Sequence, residues 1–212
     1  MLQYRALYPT TLELLKKLMQ LDDLSDFFLV GGTALALQLG HRISIDLDLF
    51  TQNDFDTKKT FDRLNKIFEI RDLTEETNTL NFNIVFPNNT ENMIKVDLIK
   101  YPYPLINPIL ETDTIRLLSV EDIIPMKLSA VAGRGSKKDF YDIYYLLNNY
   151  TLEQMFVFFE KKFPNTNKFH VLKSLTYFED AELEPNPKTI DKSDWKKVKK
   201  AIIDKTNKYM KI

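Results

Sequence analysis

The stretch "FLVGGTALALQLGHRISIDLDLF", residues 28–50, constrains the fold more than any other part of the chain. An apolar run meets Gly31-Gly32, a segment of helical character follows and closes at Gly40, and "ISIDLDLF" then alternates with a period of two. Glycine ends helices because it accepts a left-handed backbone, and alternation is the mark of a half-buried strand. The unit reads as strand, glycine pair, helix, strand. On a strand, side chains two apart leave the same face, with Cα atoms about 6.5–7 Å apart. Asp46 and Asp48 therefore converge on one side, leaving Ile45, Leu47 and Leu49 for the core.

"MIKVDLIK" repeats the pattern: Lys95 and Asp97 share one face, while Ile94, Val96 and Leu98 take the other. If the two strands are neighbours, three carboxylates meet on the wet side of a sheet. Such a set can hold the metals of phosphoryl or nucleotidyl transfer. The glycine pair supports the same chemistry. It offers free amides at a helix N-terminus, and bare backbone at Gly31 and Gly32 lets a phosphate come close. Thr33 adds a hydroxyl, and Arg42 adds a forked donor for anionic oxygens. Taken singly, a Gly-Gly is usually a turn and a D-x-D the solvated face of a strand.

Around this unit, residues 10–21 form a helix with Leu12, Leu15, Leu18 and Met19 in one stripe, and Phe27–Val30 a short strand. "TKKTFDRLNKIF" places Phe61, Leu64, Ile67 and Phe68 on one helical face. "FEIRDL", "LNFNIVF" and "MIKVDLIK" are strands, the last two a hairpin around the turn "PNNTEN". After "YPYPLINP" the pattern becomes helical, in five segments from Ser119 onward. The chain thus divides into an α/β part, residues 1–113, and a helical part, 114–212.

Composition narrows the chemistry. With no cysteine, thiolate nucleophiles and cysteine zinc sites are excluded, and two histidines are too few for a histidine-built centre. A metal would rest on carboxylates, which suit Mg²⁺ or Mn²⁺. The formal net charge of −1 gives no general attraction to nucleic acid. No window reaches the roughly 18 apolar residues of a membrane span, and no secretory signal is evident, so the expected location is cytoplasmic.

Further along, Lys127 and Arg134 are seven residues apart and share a helix face, where both can meet a triphosphate or the departing pyrophosphate. Asp139 ends "SKKD", a spacing in which Ser136 caps a helix and the acid suits its dipole. It could instead act on Lys127 or on a substrate hydroxyl. Tyr141, Tyr144 and Tyr145 are candidates for stacking on a base. His41 and His170 are read as structural. The last helix carries eight lysines between Lys192 and Lys211, read as a solvated face, with RNA-backbone contact as the minority reading.

"GGTALALQLGHRISIDLDLF" resembles the first motif of the AbiEii/AbiGii-type toxin nucleotidyltransferases, a branch of the polymerase-beta-like nucleotidyltransferase superfamily. "KVDL", Lys95–Leu98, resembles their second motif. "EDIIPMKLSAVAGRGSKKDFYDIYYLL" is similar to their downstream lysine and K-D-x-x-D region, through Lys127, Arg134, Lys138, Asp139 and Asp142. The resemblance spans roughly residues 27–147. It implies an α/β (α+β) nucleotidyltransferase-fold mixed sheet with flanking helices, followed by a helical C-terminal half. It also implies Mg²⁺ or Mn²⁺, a nucleoside triphosphate (NTP) as substrate, an RNA acceptor such as a tRNA 3′ end, and an antitoxin protein as partner. By motif match Gly32 and Thr33 fall at phosphate-binding positions, Asp46 and Asp48 at metal positions, and Asp97 at the third carboxylate. Lys127 falls at the motif lysine and Asp139 at the later acid. Two rivals stand beside this reading: a metal-dependent nuclease, and a non-catalytic nucleotide- or partner-binding protein of the same fold.

Overall fold

The computed structural model describes residues 1–86 and 89–211. The chain opens with α1 (Pro9–Met19), whose first helical position is a proline, where no amide partner is lost. Then come β1 (Phe28–Leu29), α2 (Gly31–Leu39), β2 (Leu47–Thr51) and α3 (Thr57–Leu64). Three longer strands follow: β3 (Glu69–Glu76), β4 (Thr79–Phe86) and β5 (Asn89–Lys100). A short hairpin, β6 (Leu110–Thr112) and β7 (Ile115–Leu117), leads to the helices α4 (Val120–Gly133), α5 (Lys137–Leu146) and α6 (Leu152–Lys162). The chain continues through α7 (Lys168–Ser174), α8 (Glu179–Glu182) and α9 (Trp195–Met210). Pro87 and Asn88, in the expected turn, lie outside the described residues.

The strands form one sheet in the order β3-β4-β5-β2-β1-β7-β6. The β2–β5 and β1–β7 pairs are parallel and the others antiparallel. This is the mixed α/β sheet expected from the sequence. The change of character near residue 113 falls inside the β6–β7 hairpin. Asp113 and Thr114 there both have positive φ, as a tight two-residue turn requires. The sheet therefore draws its strand Ile115–Leu117 from beyond that point, and β7 lies directly against β1.

One face of the sheet is apolar. Leu80, Phe82 and Ile84 of β4 and Ile94, Val96 and Leu98 of β5 are buried, as their alternation requires. Helix α2 is buried nearly all round, with Thr33, Ala34, Leu35, Ala36 and Leu37 enclosed, which explains why it shows no polar stripe. Arg116 on β7 ties α1 to β1 by donating to three carbonyls, those of Phe27 (2.9 Å), Met19 (3.1 Å) and Leu24 (2.9 Å). The proline-rich segment is held by a buried ion pair. Lys162 lies 2.9 Å from Asp122 and donates to the Pro104 carbonyl at 2.8 Å.

Several expectations are corrected. Helix α2 begins at Gly31, so the glycine pair is its first turn rather than a bend before it. The strand expected from Ile43 begins only at Leu47, because Arg42 and Ser44 bridge to Thr189 and Leu7 instead. Ile45 consequently turns outward and is 49% exposed. Ile67 lies past the end of α3 and is also exposed. Pro125 lies inside α4, which runs unbroken from Val120 to Gly133. Ser136 makes no side-chain cap, since its hydroxyl is taken by Glu184 at 2.8 Å. Among the described residues no helix is long and apolar enough to cross a membrane.

Candidate active site

Parallel pairing sets Asp48 of β2 directly opposite Asp97 of β5. Both leave the polar face of the sheet, because Leu47 and Leu49, and Val96 and Leu98, occupy the other. Asp46 comes from the loop ahead of β2. That loop is pinned by Thr33, whose hydroxyl donates to the Asp46 carbonyl and lies 2.9 Å from the Ser44 hydroxyl. The Thr33 hydroxyl expected to face a phosphate is thus engaged inside the fold, and it positions Asp46. All three carboxylates line one cavity of about 290 Å³, together with Gly32, Ser44, Arg42, Lys95, Lys127, Arg134 and Lys138.

The carboxylates are already counter-charged. Lys95 and Asn81 (2.8 Å) hold Asp97, and Lys138 approaches Asp46 at 3.4 Å. Among the described residues no three acids or imidazoles stand close enough to enclose one ion as they are. Even so, oxygen donors facing one cavity, two of them already drawing ammonium groups, are the donor set a hard divalent cation takes. Asp48 shows the same demand. Burial, then the neighbouring Asp97 charge, push its carboxyl up from 3.8 to about 6.

The cationic wall is built from behind by two fully buried acids. Asp142 accepts from Arg42 Nε (2.7 Å) and Nη2 (3.0 Å), pairs with Lys127 at 2.7 Å, and holds His41 Nε2 at 2.7 Å. These positive partners keep its carboxyl well below the usual carboxylate range despite complete burial. Burial pushes the His41 imidazole down, so it is neutral, and its Nδ1 has no partner among the described residues. Asp139 takes Lys127 (3.1 Å) and Arg134 (2.8 and 3.1 Å), and its carboxyl is likewise held down. It is fully enclosed and meets the cavity only through those cations, which closes the alternative of direct contact with a substrate hydroxyl. Arg42, Lys127 and Arg134 are thereby held in place as a cationic wall of the cavity.

Both glycines are required by close approach. Gly31 has φ +67°, and a Cβ there would fall on the Asp48 carboxylate. A Cβ at Gly32 would meet Arg42 Nη2 at 2.5 Å. The first amides of α2 also lack intrahelical partners, and Gly32 lines the cavity. Gly31→Ala is expected to cost about 1–3 kcal/mol, from left-handed strain plus displacement of Asp48. A thermal melt checks this, and an unchanged midpoint would count against the close approach.

Of the residues singled out from sequence, Gly32, Thr33, Arg42, Asp46, Asp48, Asp97, Lys127 and Arg134 line the cavity. Gly31 abuts it through Asp48, and Asp139 lies behind. The tyrosines do not take part as stackers: Tyr141 and Tyr144 are buried, and the Tyr145 hydroxyl is bound to Asp191. Sequence reasoning did not single out Lys138, Ser44 and Asn81 as site residues. Lys138 adjoins Asp139 in the K-D-x-x-D stretch, and Asn81 shares the polar side of an alternating strand; Ser44 carried no signal.

Comparison with known proteins agrees with this architecture. The model of the family described as "Nucleotidyl transferase AbiEii toxin, Type IV TA system" matches residues 13–209. An uncharacterized protein of Aquifex aeolicus (strain VF5), aq_aa25, is 38% identical over 178 residues, 81% of this chain and 83% of that one. The crystal structure of JHP933 from Helicobacter pylori superposes with a TM-score of 0.58 at 17% identity, over 95% of this chain and 92% of that one. MenT4, a nucleotidyltransferase toxin from Mycobacterium tuberculosis H37Rv, superposes with a TM-score of 0.60 at 10% identity, over 85% and 74%. At such identities the two structures establish a shared fold.

Proposed function

This chain belongs to the AbiEii nucleotidyl transferase toxin family, and on that premise we propose that it moves a nucleoside monophosphate from an NTP to a hydroxyl of RNA, such as a tRNA 3′ end. The toxin's activity would be opposed by an antitoxin protein. The observation that carries this reading is the single cavity in which Asp46, Asp48 and Asp97 face Arg42, Lys127, Arg134 and Lys138. Acids on one wall suit a cation and an acceptor hydroxyl. Fixed cations on the other suit a triphosphate.

Asp46, Asp48 and Asp97 would hold Mg²⁺ or Mn²⁺, which supplies positive charge to the phosphate oxygens and to the attacking oxygen. The chain's own residues do the remainder. Arg42 and Lys127, held by Asp142, and Arg134, held by Asp139, bind the β- and γ-phosphates without reorganisation. The amides at Gly31 and Gly32 add donors at the start of α2. Asp97 orients the acceptor hydroxyl and takes its proton. The acceptor oxygen forms a bond to the α-phosphorus as the α–β bridging bond breaks, and that electron pair leaves on pyrophosphate. Lys127 and Arg134 then carry the charge that develops on the leaving group.

The test is product analysis. Purified full-length chain, Mg²⁺, total RNA and each α-labelled NTP in turn should give labelled, lengthened RNA and one pyrophosphate per addition. Shortened RNA without an NTP requirement would replace this reading with the nuclease. Nucleotide binding without turnover over total RNA would replace it with the binding protein.

A further inference from the structure

The polar cavity has no flat apolar wall for a base; of the tyrosines of α5, Tyr141 and Tyr144 are buried and Tyr145 is not part of its lining. A second, open cavity of about 340 Å³ adjoins it and shares Arg42, Ser44, Asp46 and Lys138 with it. Its outer walls differ in kind: Tyr8, Ile43, Ile45 and Pro187, with Lys188 at the edge. Two of these are large apolar side chains left in water, Ile45 at 49% exposure and Tyr8 at 40%. Ile45 stands between Ser44 and Asp46, both lining the polar cavity, so this exposure is built into the site's own loop. The walls are also fixed. The Ile43 amide donates to the Lys188 carbonyl at 2.8 Å, and the Ile190 amide to the His41 carbonyl at 2.9 Å. Lys188 Nζ donates to the Tyr8 hydroxyl at 3.0 Å and also lies over its ring, 5.7 Å from the centroid, a contact that does not depend on the hydroxyl.

We propose that this Tyr8–Ile45–Pro187 recess receives the base of the NTP whose phosphates occupy the cationic cavity. The inference rests on the nucleotidyl-transfer reading and deepens it. A nucleotide is strongly anionic at one end and flat and apolar at the other. The two joined cavities match that polarity end for end, and the shared residues Asp46 and Lys138 stand at the sugar and α-phosphate. Stacking on an aromatic and an aliphatic wall tolerates any base, so the recess supplies affinity for the nucleoside rather than readout of its hydrogen-bonding edge. A larger cavity, lined by His170, Lys173 and Tyr177, meets the polar one only through Arg134, which makes it the poorer continuation.

Titration calorimetry on the full-length chain in Mg²⁺ tests this, with each of the four NTPs and with inorganic tripolyphosphate as ligands. Tyr8→Ala and Ile45→Ala should each weaken nucleotide binding by about tenfold. Tripolyphosphate affinity should stay within about twofold of wild type, because it never reaches the recess. Tyr8→Phe should bind like wild type, since the ring and not the hydroxyl does the stacking. Equal losses for nucleotide and tripolyphosphate, or no loss for either, overturn the recess while leaving the transfer reading standing. So does a nucleotide-selective loss that appears in Tyr177→Ala instead. A wild-type chain that binds neither ligand overturns both.

Discussion

Asp48→Asn should lower nucleotidyl transfer by about a thousandfold and, in metal-free buffer at pH 7, make the protein more stable. On the proposed function, the activity loss follows from removing a carboxylate that would hold the cation. Cation-based stabilisation is worth several kcal/mol, and each 1.36 kcal/mol is tenfold in rate. The stability gain follows from the sign of the pKa shift. The Asp48 carboxyl is raised from 3.8 to about 6 in the fold, so between those values the folded state holds a proton that the unfolded state has released. Wild-type stability therefore falls as pH rises through that window, by on the order of 3 kcal/mol, and the deficit is full above it. Asparagine cannot ionise and escapes the deficit. The variant's advantage should be present at pH 7, shrink below pH 6 and vanish near pH 4. Melts of both proteins across that range, without divalent ions, measure it. The difference between them isolates Asp48, because Asp122, Asp139 and Asp142, whose carboxyls are held down, push stability the opposite way on acidification in both. Added Mg²⁺ should raise the wild-type midpoint and leave the variant unmoved. A variant that melts lower than wild type at pH 7 would mean that Asp48 is held by hydrogen bonding rather than penalised by burial and by the Asp97 charge.

How legible the site was depends on what each residue needs for its placement. Leu80, Phe82 and Ile84, and Ile94, Val96 and Leu98, could be read directly, because a strand with one buried face writes its orientation into a period of two. Asp97 followed from that alternation once β5 was taken as the neighbour of β2. The same rule failed at Ile45. Alternation was extended through a segment that Thr33 and a bridge from Leu7 to Ser44 pull off the sheet, and no local pattern records a distant hydroxyl. Ser136 failed in a related way. Its capping spacing is correct, but Glu184, 48 residues on, takes its hydroxyl. The α5 tyrosines were misplaced because α9 covers that face: Tyr141 stacks on Trp195 with ring centroids 5.7 Å apart. Asp142 is the sharpest case. The K-D-x-x-D stretch named Asp142, but nothing near it in sequence marks it as the residue that holds Arg42, 100 positions earlier; that pairing becomes visible only when α5 packs beside α2.

Asp142→Ala should be the most damaging substitution to the fold, costing about 3–5 kcal/mol. It removes one member of a buried charge group and leaves Arg42 and Lys127 without their principal counter-charge in a dry site. For a chain of 212 residues that corresponds to a fall in melting midpoint of roughly 10 °C. The depressed Asp142 carboxyl fixes the pH behaviour. Its contribution is present above its unfolded value of 3.8 and is lost only as pH falls through its much lower folded value. The gap between wild type and variant should therefore stay constant from pH 7 to about 4 and close below that. Asp142→Asn separates structure from function. It preserves volume and can still accept hydrogen bonds from Arg42, so it should melt closer to wild type than alanine does. Yet it withdraws the negative charge that holds both cations at the cavity, so tripolyphosphate affinity should fall with it. An asparagine variant that binds tripolyphosphate as wild type does would show that Arg42 and Lys127 are held by packing alone. The cationic wall would then be a property of the helices around it rather than of the buried acid behind it.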